Sequence, residues 1–288
     1  MKVLLTGSDG FVGRQFQRYF KETGDKVTQV DIRSNVDCRD FFKVTNIQFD
    51  LVVHLAAVVG GRMTIEGDPL RVASDLAIDS DMFNWAVKTQ QPKIVYYSSS
   101  AAYPIKLQES EKYLVEKDID INNIQTPDFS YGWAKLTGEM LASYAEEQGV
   151  RVHVFRPFSG YGEDQDLDYP FPSFIQRIKN RDDPFIVWGN GNQVRDFIHI
   201  EDVVNATMAL VNANVSGPTN LGLGRPVSFT DLAYMAFEIA GYKPHLKYLL
   251  DKPVGVQFRC SNNTKMLKYY TPEITLEDGI RRALTNGI

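Results

Sequence analysis

At 288 residues, 43% of them hydrophobic and 23% charged, the chain has apolar material for one large folded unit or two smaller ones. A formal net charge of -5 excludes a broad basic face for nucleic acid, although a few placed arginines could still hold an anionic small molecule. The only cysteines, Cys38 and Cys260, exclude a disulfide framework and a cysteine-built metal cluster, and they fit a reducing compartment. With no signal peptide ahead of the first strand and no apolar run long enough to span a bilayer, the expectation is a cytoplasmic protein without a membrane partner.

In chain order, short β-branched runs alternate with amphipathic helical patterns, which predicts an α/β protein with a doubly wound parallel sheet. Strands are expected at Val3–Thr6, Lys26–Asp31, Leu51–Ala57, Lys93–Tyr97 and Arg151–Phe158. Val12, Phe16, Tyr19 and Phe20 share one helical face, as do Leu76, Met82, Phe83 and Ala86 in a helix over Ser74–Lys88. A helix over Tyr131–Glu147 carries Leu136, Met140, Leu141 and Tyr144 in the same way. Beyond residue 160 the loops lengthen and Pro and Gly become frequent. Short strands at Phe185–Trp188 and Phe197–Ile200 then give way to helices at Glu201–Asn212 and Phe229–Ala240. This change of grain predicts a smaller, discontinuous second domain.

The first strand-to-helix turn reads Thr6-Gly7-Ser8-Asp9-Gly10-Phe11-Val12-Gly13, with glycines at GxxGxxG spacing. Gly7 can turn tightly, Gly10 admits a close pyrophosphate, and Gly13 lets helix pack on strand. The helix N-terminus adds free N–H groups and a partial positive charge. Asp31 ends the second strand, where a carboxylate accepts bonds from the adenosine ribose and repels a 2′-phosphate. NAD is therefore expected, while Arg33 keeps NADP open. Asp37 and Cys38 are within reach of the adenine.

Tyr131 and Lys135 fall at i, i+4 on one face of a helix. A free phenol, with a pKa of about 10, is a poor base at neutral pH. A neighbouring ammonium and an oxidised nicotinamide both favour the phenolate, so Tyr131 can take a proton from a substrate hydroxyl as hydride leaves the same carbon. Lys135 is also suited to hold the nicotinamide ribose. The row Ser98-Ser99-Ser100-Ala101-Ala102-Tyr103-Pro104 ends a predicted strand, the end at which open parallel sheets bind ligands. A serine there can steady the reacting oxygen.

Taken together, these residues resemble the extended short-chain dehydrogenase/reductase family of nucleotide-sugar epimerases and dehydratases. The likeness runs nearly end to end, through TGSDGFVG (Thr6–Gly13), HLAA (His54–Ala57), SSSAAYP, YGWAK, GNGNQVRDFIHIEDVV (Gly189–Val204), NLGLG (Asn220–Gly224) and KPVGVQFR (Lys252–Arg259). It implies a Rossmann-type NAD domain over residues 1–160 and about 196–222, and a C-terminal substrate domain over 161–195 and 223–288. It also implies a catalytic trio of Ser99, Tyr131 and Lys135. Gly7, Gly10, Phe11, Val12, Gly13, Leu55, Ala56 and Ala57 would hold the cofactor, with Asp31, Asp37 and Cys38 toward the adenosine. Ser100, Ser159, Trp188, Arg195 and Arg259 would face a nucleotide sugar, Arg195 forking onto its phosphates. The long helices Ser74–Lys88 and Tyr131–Glu147 match a pair that forms a four-helix dimer interface in relatives, which implies a homodimer.

Val59-Gly60-Gly61, Tyr103-Pro104, Val187-Trp188-Gly189 and Lys252-Pro253 lean toward the branch of GDP-fucose synthase and GDP-mannose 3,5-epimerase. That branch's epimerising cysteine corresponds here to Ala101, and its histidine falls near Ser173. The Asp-Glu pair of the family's dehydratases corresponds to Ser100 and Ala101, and the usual asparagine of RxxNxYG is Ser159. What survives is the set needed to move hydride at one carbon. It fits a 4-epimerase first, and a 4-keto-sugar reductase, a dehydrogenase or a GDP-fucose-synthase-like epimerase-reductase second. A non-catalytic dinucleotide sensor has no use for the trio. His54, His153, His199 and His245 are too scattered for a metal site, and Glu163–Asp168 reads as a solvated loop at the cleft mouth.

Overall fold

A computed structural model describes residues 1–285, apart from the side chains of residues 62–64. The chain runs β1 (Lys2–Thr6), α1 (Phe11–Thr23), β2 (Lys26–Val30), α2 (Cys38–Val44), β3 (Leu51–His54), α3 (Arg62–Gly67), α4 (Pro69–Ala73), α5 (Asp75–Lys88), β4 (Lys93–Tyr97) and β5 (Tyr113–Leu114). It continues through α6 (Phe129–Glu147), β6 (Arg151–Pro157), β7 (Ser159–Tyr161), α7 (Pro170–Lys179), β8 (Phe185–Trp188), β9 (Val194–His199) and α8 (Ile200–Asn212). The last elements are β10 (Thr219–Leu221), β11 (Pro226–Ser228), α9 (Phe229–Ala240), β12 (Leu246–Leu249), β13 (Phe258–Ser261) and α10 (Leu276–Thr285).

Six strands form one all-parallel sheet in the order β2-β1-β3-β4-β6-β10. The inner strands β1, β3 and β4 are mostly apolar and buried because both of their faces are covered. Side chains alternate between those faces with period two: Val3, Leu5, Val53 and Val95 join α1 and α8, while Leu4, Val52 and Ile94 join α2, α5 and α6. The chain goes from β1 to β2 on one side and to β3 on the other, so the order reverses at β1. A crevice opens at such a reversal, outside the carboxyl ends of the strands.

The C-terminal region is structurally distinct and smaller. There β9 pairs antiparallel with β11 and parallel with β7 and β13, β5 extends that sheet beyond β13, and β8 and β12 make a separate parallel pair. Helices α7, α9 and α10 enclose a third core around Phe174, Phe185, Phe237 and Ile280. Helix α9 keeps its expected bounds, held by a Ser228/Asp231 capping box and by Gly241 in the left-handed region at φ 60°.

Several elements depart from expectation. Strand β2 stops at Val30 because Asp31 turns to cap a short helical turn, accepting a bond from the Arg33 amide. Strand β3 ends at His54, not Ala57, and Leu55 adds one last bond to Thr6 before the chain leaves the sheet. Strand β9 is longer than Phe197–Ile200 and straddles the expected boundary at residue 196. Leu76 and Tyr144 are 39% and 55% exposed, because α5 and α6 turn those faces outward and bury Asp75 and Asp79 instead. No helix among the described residues is long and apolar enough to cross a membrane.

Candidate active site

A cleft of about 1040 Å³ lies at the carboxyl edge of the large sheet, walled on its far side by the C-terminal region. The glycine loop forms one end. Gly7, at φ +70°, has no room for a side chain: a Cβ there would sit 2.7 Å from the carbonyl carbon of Leu55. A Cβ on Gly13 would meet the Gly7 carbonyl oxygen at 2.1 Å. These two positions let the ends of β1 and β3 and the start of α1 close on one another. Among the described residues no side chain caps α1 and no acid stands in its first turn. Its positive end and amides therefore suit a bound diphosphate, and this cradle fits a dinucleotide.

Gly7, Gly10, Phe11, Val12, Gly13, Leu55 and Ala57 all line the cleft. Asp31 does not: its carboxylate accepts the Asp9 amide at 2.8 Å and the Arg33 amide at 2.8 Å, tying the end of β2 to the glycine loop. Arg33 takes its place in the wall, donating to the Asp9 carbonyl at 3.0 Å. Asp37 and Cys38 also stay out. Asp37 caps α2 and is gripped by Arg39, and Cys38 is buried, its thiol pushed up to about 12 by burial. Ala56 packs into the core beneath the loop.

Ser99, Tyr131 and Lys135 converge on the cleft. Ser99 follows β4, its hydroxyl accepting the Ala101 amide at 3.1 Å. Tyr131 lies in the first turn of α6, and the glycine after it has a steric cause: a Cβ on Gly132 would meet the Ala101 carbonyl oxygen at 2.4 Å. The start of α6 is thereby pressed against the serine stretch. Lys135 Nζ sits 5.8 Å from the centre of the Tyr131 ring and 5.5 Å from that of Tyr96.

Burial dominates Tyr131, holding its phenol above the usual range, and Asp75 and Asp79 push the same way. Lys135 and a hydrogen bond with Ser99 oppose them. The lysine thus acts in the expected direction, but burial outweighs it. Burial also works to discharge Lys135, yet Asp79, Tyr131 and Asp75 overcome it and keep the ammonium above the ordinary lysine value.

The carboxylates behind Lys135 carry no sequence signal, since an acid on a helix usually reads as a solvated face. Asp79 is fully buried, bonding His54 Nε2 at 3.3 Å and accepting from the Tyr96 hydroxyl at 2.5 Å. His54 in turn bonds Thr6 at 2.8 Å. Gly138, one turn beyond Lys135 on α6, makes room for this set: a Cβ there would fall 1.8 Å from the Tyr96 hydroxyl.

The opposite wall carries arginines. Arg195 lines the cleft, donating to the carbonyls of Val194 at 2.7 Å, Val256 at 2.8 Å and Val254 at 3.2 Å. Its sequence neighbour Asp196 points away, accepting the amides of Leu223 and Gly224. Arg259 bonds Gln108 and reaches Asp128, just ahead of α6, at 2.7 Å. Ser100, Ser159 and Trp188 line the same space. So does Arg177, which sequence reasoning missed; it lies over Phe174 at 4.9 Å and Phe185 at 4.8 Å and donates to the carbonyls of Ser173 and Ile186. Its helical position alone resembled a solvated cation.

The acidic run over the cofactor end is strapped down. Asp164 takes Arg14 at 3.1 Å and Arg18 at 2.9 Å, and Asp166 faces Arg33 at 3.6 Å. Gly61 packs so closely on this loop that a Cβ would lie 2.3 Å from the Asp168 carbonyl oxygen. Residues 165–168 line the cleft, so the run is wall as well as rim.

Residues 3–222 match the model of the NAD dependent epimerase/dehydratase family. Among characterised proteins, the chain is 24% identical to GDP-L-colitose synthase of Yersinia pseudotuberculosis, over 98% of this chain and 96% of that protein. It is 26% identical to dTDP-4-dehydro-6-deoxy-D-allose reductase of a Streptomyces species, over 92% and 89% of the two chains. Among solved structures, UDP-glucuronic acid 4-epimerase from Bacillus cereus, in complex with UDP-glucuronic acid and NAD, superposes with a TM-score of 0.82 at 23% identity, covering 99% of this chain and 98% of that one. A cleft at the sheet's reversal point, a cradle that no side chain could enter and a family match across three-quarters of the sequence agree: this chain belongs to the NAD-dependent epimerase/dehydratase family of enzymes.

Proposed function

We propose that the enzyme is an NAD-dependent nucleotide-sugar 4-epimerase. The observation that carries this reading is the convergence of Ser99, Tyr131 and Lys135 on one cleft, with Ser100 and Ala101 beside them supplying no second acid or base. Gly7, Gly10 and Gly13, with the start of α1, would hold the diphosphate of NAD, and Lys135 would hold its nicotinamide ribose. When bound, NAD supplies the acceptor for a sugar hydride, returns that hydride later, and in its oxidised form adds a positive charge to the site.

Tyr131 takes the proton of the sugar's C4 hydroxyl as the C4–H bond breaks, leaving a 4-ketone. Ser99 donates a hydrogen bond to the same oxygen. Lys135 steadies the phenolate by charge. The ketone turns its other face, and Tyr131 gives the proton back to the oxygen as C4–H re-forms. Arg195, Arg259 and Arg177 suit the phosphates of the nucleotide. Asp31 favours NAD over NADP through its charge at the end of β2, and Arg33 leaves NADP as the alternative.

The strap of Asp164 and Asp166 across the cofactor end supports recycling over exchange, since an epimerase keeps one cofactor through many turnovers. A second reading, a 4-keto-sugar reductase, is favoured by the name of the Streptomyces relative. It requires net oxidation of a reduced cofactor. Native mass spectrometry after incubation with UDP-, GDP-, dTDP- and CDP-sugars identifies the sugar held. Interconversion of two C4 epimers without net change in nicotinamide absorbance supports the epimerase, and stoichiometric NADH or NADPH consumption with a 4-keto sugar replaces it with the reductase.

We further infer a cofactor domain of residues 1–160 with about 196–222, a substrate domain of the remainder, and a homodimer through α5 and α6. Exposed Leu76, Trp133 and Tyr144 on those helices support the dimer. Sedimentation showing only monomer would remove it.

A further inference from the structure

Lys135 is enclosed by groups that this chemistry leaves without a task. Asp79 has both oxygens engaged, by His54 and Tyr96, and burial is outweighed there by Lys135 and those two bonds, which hold its carboxyl below the usual range. Asp75, one turn earlier on α5, is different. It is fully buried, and only Oδ1 is satisfied, by the Val58 amide at 2.6 Å. Its Oδ2 has no hydrogen-bond partner among the described residues. A buried carboxylate with one bare oxygen is costly to keep charged.

We propose that Asp75 is a positioning residue for the acid–base step, whose charge sets, through Lys135, how readily Tyr131 gives up its proton. The inference rests on reading Tyr131 as that acid–base group. Burial pushes the Asp75 carboxyl up to about 6, Asp79 adds to this, and Lys135 and the Val58 amide oppose it. The groups acting on Asp75 are therefore Asp79 from α5, Lys135 from α6 and, through a backbone amide, the loop that carries Ala57 into the cleft wall. The charges and bonds that act on Tyr131 come from Lys135, Asp75, Asp79 and Ser99, and its own charge acts on Tyr96 of β4 and on Tyr169 next to the strap.

The sign follows from the charges. An ionised Asp75 divides the field of the ammonium and repels a phenolate directly, so it raises the pKa of Tyr131. A neutral Asp75 leaves the ammonium acting on the phenol with one fewer opposing charge. Asp75 thus makes the phenol harder to ionise above pH 6 than below it.

The test reads the phenol itself. The full chain, labelled with tyrosine carrying carbon-13 at Cζ and saturated with NAD+, is titrated by NMR, and the Tyr131 resonance is assigned by its loss in Tyr131→Phe. In the unaltered protein this resonance is expected to show a small inflection near pH 6, before its main titration. Asp75→Asn, which can still accept from Val58, is expected to abolish the inflection and lower the main midpoint by about one unit, about tenfold more phenolate at a given pH. An unchanged midpoint in a variant that melts and binds NAD+ as the parent does overturns the proposal. So does an unaltered protein with no inflection near pH 6, a result that needs no variant to fold. The parent reading fails separately, through turnover of a nucleotide sugar that survives Tyr131→Phe.

Discussion

On the sheet side of the cleft, Tyr131 and Lys135 stand among buried carboxylates, a histidine and a second phenol, and almost every polar atom answers another. On the opposite side, Arg195 and Arg177 rest on backbone carbonyls and aromatic faces, and of the arginines described there Arg259 is the one paired with a carboxylate, that of Asp128. Under the proposed function the contrast follows from what each wall would do. A group that must exchange a proton needs a tuned field, which takes fixed opposing charges in a dry place. A group that must hold phosphate keeps more of its charge for the ligand when neutral acceptors steady it.

Substitutions can break or sharpen this contrast. Tyr131→Phe should lower kcat by about 10²- to 10⁴-fold while the nucleotide sugar stays bound in native mass spectra; loss of binding with kcat preserved would mean that the two walls have been assigned the wrong way round. Gly13→Ala forces a methyl toward the Gly7 carbonyl and should cost about 1–3 kcal/mol in melting experiments, with NAD+ affinity lost as well. Gly67→Ala, where a Cβ meets nothing within 4 Å, is the control. Arg177→Gln should weaken the nucleotide sugar by about 1.5–3 kcal/mol, read by calorimetry, and leave NAD+ binding as it was. Equal loss of both ligands would dissolve the distinction between the walls. Least affected is Asp164→Asn: its pairs with Arg14 and Arg18 are partly exposed, so stability should change by less than about 1 kcal/mol. Its measurable effect should be faster NAD+ release by stopped flow.

Five of the six strands of the large sheet could be read directly, as short runs rich in β-branched residues with the glycine turn between the first strand and helix, whereas the three-residue β10 carried no such run. Phe229–Ala240 was equally plain, marked by Ser228, Asp231 and Gly241. Tyr131 and Lys135 showed themselves by spacing. Asp75 and Asp79 did not, since helical periodicity treats acids as outward-facing and only the tertiary fold brings a buried ammonium to them. Leu76 and Tyr144 show the complementary limit: apolar spacing says which side chains share a face, not what covers that face. Asp37 caps α2 and Cys38 packs into the core, so neither side chain lines the cleft, a placement that their distance along the sequence does not reveal. Arg177 needed β8 and α7 side by side before its aromatic seat existed.

The bare backbone at Gly138 governs more than its own neighbourhood. Because the Tyr96 hydroxyl fills the place of a side chain there, the helix can settle onto the sheet only at that depth. Even one added methyl would wedge the two apart, and the phenol two turns upstream would ride outward with the helix, away from its serine. The tolerance of the reacting geometry is therefore set on the dry underside of that helix, in a spot no sugar ever reaches.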